Sequence, residues 1–290
     1  MKLVRFSAGG PPRTGIVAGD GVIDIAQAGG PQGTMLSIIA DGQAGLESLK
    51  AIAGGGPLYK LADVRLLAPV ERPGKYLAIG MNYRKHQEEA DKLGVARSQH
   101  QVWFNKQTTC LSGPYDDIDP GVTEKLDYEV ELGVVIGRKA KSVPAATAAA
   151  HVFGYFVAND VSARDWQFHS PTFTMGKSFD THGPMGPWIV TADELPEPHG
   201  LGLRCFVNGE LRQSSDTSQM IANLWDQIAY LSTAFTLEPG DLIATGTPEG
   251  VGVGMEPPRF LQPGDVVRCE IDGIGAIENR VVVPKSQDEG

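Results

Sequence analysis

Glu129 and Glu131 stand one residue apart in the segment Asp127-Tyr128-Glu129-Val130-Glu131-Leu132-Gly133. On a strand, alternate side chains share a face. Both carboxylates then project to one side, and Tyr128, Val130 and Leu132 to the other. The continuation through Ile136 is apolar enough to be buried. Like charges repel there, and burial raises their cost. Either the face is exposed and merely acidic, or a cation sits between the two groups. Asp160 closes a second apolar run, 154–159, at a strand end from which it can reach a neighbouring strand; a turn or cap is its plainer role. Three carboxylates without His or Cys are hard oxygen ligands. They suit Mg2+ or Mn2+ better than Zn2+ and leave positions open for water or a chelating substrate.

Other residues could move protons or hold anions. His86 and Glu89 are three apart in a polar segment, which makes them neighbours on a helix. A carboxylate beside an imidazole orients it and makes it a better base; a solvated polar helix with a stray histidine is the alternative. Lys177 follows Gly176, which permits close backbone approach, so a buried ammonium could balance an oxyanion there; a surface lysine in a turn is the commoner case. The Gly-rich stretch Thr245-Gly246-Thr247-Pro248-Glu249-Gly250-Val251-Gly252 follows a strand but lacks the Gly-Lys-Ser/Thr of a P-loop. Its backbone and hydroxyls could grip a carboxylate.

The elements that must position these groups are mostly short strands. Residues 1–70 read as a small N-terminal α+β domain, with β-like runs at 1–6, 15–19 and 21–26 and a helical pattern over 35–53 that Gly42 and Gly45 weaken. Pro69 and Pro73 mark the boundary to a second domain, 71–290. Its strand candidates are 75–80, 128–137, 152–160, 187–191, 203–210, 241–246 and 265–271. The strongest helix pattern covers 219–235, with Ile221, Leu224, Ile228 and Leu231 on one stripe. The tail 284–290 is polar and expected to fray. This is not a βαβ alternation, so the fold class is mainly β (α+β) rather than a doubly wound parallel sheet.

With 36 Gly and 20 Pro in 290 residues, turns are plentiful and long helices are not expected. A formal charge of −10 with no basic cluster disfavours nucleic acid and anionic membranes as partners. Cys110, Cys205 and Cys269 are far apart and odd in number, as for reduced buried thiols. No signal-peptide core and no spanning run is found, which points to a cytoplasmic protein.

Taken together, the segments resemble the catalytic domain of the fumarylacetoacetate hydrolase superfamily. The match runs in order over about 75–283: Tyr83 with His86-x-x-Glu89, Phe104-x-Lys106, Tyr128-Glu129-x-Glu131-Leu132-Gly133, Asp160-Val161-Ser162-Ala163-Arg164-Asp165, Gly176-Lys177-Ser178-Phe179-Asp180, and the Thr245–Gly252 loop. The resemblance implies a mixed β-sandwich roll, a homodimer, and Mg2+ or Mn2+ on Glu129, Glu131 and Asp160. It makes Lys177 the lysine that stabilises substrate oxygen, and His86 with Glu89 the water-activating pair, on a lid in several members. Tyr83, Lys106, Arg164, Gln167 and Thr247 match positions at or near the substrate. The tail of the domain, from Gly254 to Leu261, is similar to a bacterial subgroup that includes acylpyruvate and 2,4-dioxo-3-deoxy sugar acid hydrolases. Met81 stands where several acylpyruvase and oxaloacetate decarboxylase relatives carry Arg, which removes a cationic handle. The activity so implied is hydrolysis of a carbon–carbon bond in a 2,4-dioxo acid through a pyruvate enolate. Oxaloacetate decarboxylation and 2-oxo acid tautomerisation or isomerisation are alternatives on the same site.

Overall fold

The computed structural model describes residues 1–92, 94 and 97–284. Of the polar tail, only Pro284 falls within them. A twelve-stranded mixed sheet carries the site. Its central strands are Gly183–Thr191, Val152–Asn159, Val130–Ile136, Leu242–Ala244, Tyr76–Gly80 and Val102–Asn105, in that spatial order. The pairing of Leu242–Ala244 with Tyr76–Gly80 is parallel, and the other central pairs are antiparallel. A four-stranded antiparallel sheet, Glu210–Asp216, Gly202–Val207, Val266–Ile271 and Gly275–Arg280, completes the sandwich.

The strand Val130–Ile136 shows how sequence alternation sorts the layers. Val130, Leu132, Val134 and Ile136 pack into the core shared with Leu203, Cys205, Val267 and Ile277 of the smaller sheet. Val135 enters the opposite core, with Phe156, Phe104 and Leu242. Glu131 and Gly133 share that second face by the same alternation. A Cβ on Gly133 would lie 2.2 Å from the Phe156 ring, so glycine is needed for the aromatic packing beside Glu131. Each fully buried branched side chain contributes roughly 1.5–3 kcal/mol. That supports one buried carboxylate, at several kcal/mol, only if its charge is compensated.

The structure adds detail to four sequence expectations. The 1–70 segment has a small cluster of its own, Val4, Phe6, Val22 and Leu66, and is in addition built into the main sheet. Lys2–Ser7 pairs with Gly183–Thr191, and Leu3, Ile16, Ile23 and Ile38 join the cluster of Val135 and Phe156. The helical pattern over 35–53 is two helices, Met35–Ala40 and Gly42–Ile52, because Gly42 takes φ +56° and breaks the ladder. The helix expected from 219 begins at Leu224, where Asn223 caps it by accepting from the Trp225 and Asp226 amides at 2.9 and 3.1 Å. Ile221 therefore leaves the stripe and stands exposed. The strand candidate 203–210 likewise turns at Asn208-Gly209, both at positive φ, as a two-residue hairpin requires. Among the described residues no helix is long and apolar enough to cross a membrane, and all three cysteines are free and buried.

Candidate active site

Glu131 lies in the strand Val130–Ile136, Glu129 immediately precedes it, and Asp160 follows the antiparallel neighbour Val152–Asn159. The register Val130↔Asn159 brings the strand ends together, and the Asp160 amide donates to the Glu129 carbonyl at 2.9 Å. One carboxylate oxygen from each of the three residues lies within 4.8 Å of the others, all of them buried. The same-face expectation for Glu129 and Glu131 and the strand-end expectation for Asp160 thus meet at one point.

Cations surround two of the three acids. Lys177 Nζ donates to Glu129 Oε2 at 2.7 Å and Asp160 Oδ2 at 2.8 Å. Lys106 Nζ donates to Asp160 Oδ1 at 2.5 Å and also to the Lys177 carbonyl. Arg164 Nη2 lies 2.8 Å from Glu129 Oε1. Burial pushes the Glu129 carboxyl up, but Lys177 and Arg164 outweigh it and hold it at about 2. Glu131 has no ion pair among the described residues; it accepts one backbone hydrogen bond, from Gly246 N at 2.8 Å. Burial, then Asp160 and Glu129, push it well above the ordinary carboxylate range. One buried acid is left uncompensated beside two paired ones, in an all-oxygen donor set. That is the pattern a hard divalent cation satisfies, and the residues fit one.

Two glycines are structural necessities here. A Cβ on Gly176 would fall 2.4 Å from the Gln167 backbone, so the turn that delivers Lys177 needs glycine, as its sequence position suggests. Gly246, at φ +96°, leaves no room beyond Asn82, whose Cβ would be 2.8 Å away.

Behind the acids stands Asp127, which sequence reading passed over. It is fully buried. Its Oδ1 accepts from the Tyr128 amide at 2.9 Å and the Gly252 amide at 2.7 Å. Its Oδ2 accepts from the Val253 amide at 3.0 Å and Arg164 Nε at 2.8 Å. Asp127 thereby aims Arg164 at Glu129 and ties it to the 250–253 loop. In Asp127→Asn the amide nitrogen faces two donors whichever way it turns, and the negative charge that anchors Arg164 is gone. Loss of such an outer partner typically costs about 10–100-fold in cation affinity or activity. Titration calorimetry of Asp127→Asn with Mn2+ checks this; an unchanged Kd rules out the positioning role.

His86 and Glu89 lie on the helix Arg84–Lys92, with His86 Nδ1 2.9 Å from Glu89 Oε2. The other Glu89 oxygen accepts from Gly250 N at 3.3 Å. A cavity of about 780 Å3 is lined by His86, Glu89, Glu129, Arg164, Gln167, Lys177 and Thr247 together. Tyr83 and Lys106 do not line it. Tyr83 is fully buried, its hydroxyl has no hydrogen-bond partner among the described residues, and burial followed by Glu131 holds it protonated. Lys106 instead backs Asp160. Thr247 gives its hydroxyl proton to the Val130 carbonyl at 2.9 Å and accepts from Gln213 Nε2 at 2.8 Å, so that proton is already committed. Gln167 accepts from Arg164 Nη1 at 3.0 Å.

Residues 75–282 match the fumarylacetoacetate (FAA) hydrolase C-terminal family model, and residues 1–69 match an Rv2993c-like N-terminal model. The chain belongs to the fumarylacetoacetate hydrolase family. It is 44% identical over 292 residues to a mitochondrial oxaloacetate tautomerase of Bos taurus, covering 97% of this chain and 92% of that protein. Among solved structures of the family it is similar to maleylpyruvate hydrolase from Sphingobium sp. SYK-6 in complex with manganese(II) ion and pyruvate. The identity is 33%, the TM-score 0.82, and the coverage 98% of this chain and 100% of that one. It is also similar to 5-carboxymethyl-2-hydroxymuconate delta-isomerase from Mycobacterium smegmatis, with 35% identity, TM-score 0.76 and coverage of 98% and 100%.

The family's site has further supports that single-sequence reading missed. Asn82 donates to the Thr245 and Ala222 carbonyls at 2.8 and 3.0 Å and accepts from the Ala222 amide at 2.9 Å, fixing one cavity wall. Gln213 accepts from Val130 N at 3.0 Å and donates to Thr247 and Pro248, locking the loop to the ligand strand. His182 is buried against Phe179, and its Nε2 lies 3.0 Å from the Asp119 carbonyl. Burial, helped by Lys106, pushes its imidazole down to about 3 from 6.5. Between those values the unfolded chain binds a proton that the fold refuses. His182 therefore makes stability fall as pH drops from about 6.5 towards 3, by about 1.4 kcal/mol per unit at the steepest. Urea midpoints at pH 7 and pH 5 should converge more closely in His182→Phe than in the parent. Equal pH dependence in the two proteins contradicts the assignment.

Proposed function

We propose that the chain is a metal-dependent enzyme that interconverts the keto and enol forms of a 2-oxo acid. The observation that carries this is one cavity lined by both an oriented imidazole and Glu129, a member of a buried carboxylate triad whose Glu131 is uncompensated. A divalent cation on Glu129, Glu131 and Asp160 would supply Lewis-acid stabilisation of the enolate oxygen. Lys177 and Arg164 add positive charge at the same wall and orient the substrate carboxylate. Glu89 engages His86 Nδ1, which leaves Nε2 as the free nitrogen; it takes the C3 proton of the keto form and, as imidazolium, delivers a proton to the enolate oxygen to give the enol, and the reverse steps restore the keto form. The 44% identity to an oxaloacetate tautomerase across nearly the whole chain supports tautomerisation as the net reaction.

The test is exchange of C3 protons of pyruvate and oxaloacetate in D2O, with Mg2+ or Mn2+ and with chelator. Cation-dependent exchange is expected; none with any 2-oxo acid overturns the reading. Hydrolysis of a 2,4-dioxo acid is a second reading, favoured by the likeness to a maleylpyruvate hydrolase holding manganese and pyruvate. In that case His86 deprotonates water, and release of pyruvate from an acylpyruvate is the distinguishing product. Oxaloacetate decarboxylation shares the enolate but needs no attacking water, and carbon dioxide release identifies it.

A further inference from the structure

Lys177 Nζ lies 5.3 Å from the centroid of the Phe104 ring. Phe104 meets Phe173 at 6.0 Å, and Phe173 meets Phe168 at 5.5 Å, both edge to face. Phe104 is buried and Phe168 is 66% exposed. The three rings therefore run from the lysine at the acid cluster to the cavity rim, and all three line the cavity. Val251, Val253, Phe260 and Ile221 are further apolar members of its wall. At roughly 30 Å3 per water, a small diacid such as oxaloacetate fills only a fraction of about 780 Å3. Of the cationic side chains on the wall, Arg164 and Lys177 already face the acids and Arg97 pairs with Asp91, which leaves the exposed Lys125 as the one ammonium without an ion pair among the described residues.

Backbone strain marks the same place. Phe173 has φ +58° and Met81, also on the wall, has φ +56°. For residues of this size the left-handed region is costly and persists only when the surroundings fix it. In Phe173 the strained backbone is what sets the ring between Phe104 and Phe168.

We propose that this aromatic line is the subsite for an apolar, aryl-sized substituent on the 2-oxo acid, so that the preferred substrate carries such a group rather than a second carboxylate. The proposal rests on the enolate reading for what binds at the acids, but the ring geometry stands apart from it. An aryl group inserted along the line gains edge-to-face contacts and loses water-exposed area.

Titration calorimetry of the Mn2+-loaded protein with phenylpyruvate, pyruvate and oxaloacetate reads binding without requiring turnover. Phenylpyruvate is expected to bind about ten-fold or more tighter than either of the others. Phe173→Ala and Phe168→Ala should each remove most of that advantage while leaving pyruvate affinity unchanged. Phe168 is exposed, so its variant keeps the fold even if Phe173→Ala does not. The subsite is overturned if oxaloacetate or pyruvate binds as tightly as phenylpyruvate, or if the advantage survives Phe168→Ala and any folded Phe173 variant. Absence of C3 exchange with phenylpyruvate, pyruvate and oxaloacetate alike, while phenylpyruvate still binds through these rings, removes the enolate reading and leaves the subsite standing.

Discussion

Glu131→Gln is expected to weaken cation binding sharply and to suppress turnover while relieving the cation-free protein of a pH-dependent burden. Glutamine keeps the shape and the carbonyl that accepts from Gly246 N. It removes the one charge of the triad that has no ion-pair partner among the described residues. The Mn2+ Kd should rise by about 100-fold or more, at or beyond the upper end of what losing even an outer partner costs. Saturating the parent to about 100 times Kd adds about 2.7 kcal/mol of stability; the variant should gain little. The sign without cation is opposite. Glu131 is pushed well above 4.5 in the fold. The native state then holds a proton that the unfolded chain releases, and stability falls as pH rises above about 4.5. Glu131→Gln lacks that decline, so its denaturant midpoint at pH 8 without cation should exceed the parent's. Unchanged Mn2+ affinity would remove Glu131 from the centre.

His86→Ala is expected to slow C3 exchange by about 10²–10⁴-fold, the usual worth of a positioned general base. Cation affinity should stay at the parent value, because His86 is not among the acids or their ion-paired partners. Glu89→Gln should cost less, since it loosens the imidazole without removing it. That variant also weakens the contact from Gly250 N, so its KM should rise together with the fall in kcat. Parent-rate exchange in His86→Ala would dismiss the pair as the base.

The acids were legible because strand alternation is local: Glu129, Glu131 and the apolar residues between them need no other chain segment to declare a face. Gly176 before Lys177 was legible for the same reason. Asp127 was not. It sits in the same motif, yet its role depends on Arg164, 37 residues on, and on the Gly252 amide, 125 residues on. Gln213 and Asn82 are hidden likewise: uncharged side chains whose work is to satisfy distant backbone groups carry no periodic signal. The mixed-sheet sandwich was expected from the resemblance. The fusion of 1–70 to the main sheet could not be read, because strand pairing between Lys2–Ser7 and Gly183–Thr191 leaves no mark in either segment alone.

The 250–254 loop touches both halves of the chemistry. Gly252 and Val253 give their amides to Asp127, which steers Arg164 onto the acids, while Gly250 gives its amide to Glu89. A Cβ on Gly254 would meet the Glu89 carboxyl carbon at 2.3 Å. The helix with His86 and this loop are cut to one another's shape, although 161 residues separate Glu89 from Gly250. Anyone exchanging parts between relatives therefore has to treat them as a single cassette: a helix transplanted alone arrives at a socket moulded for a different key.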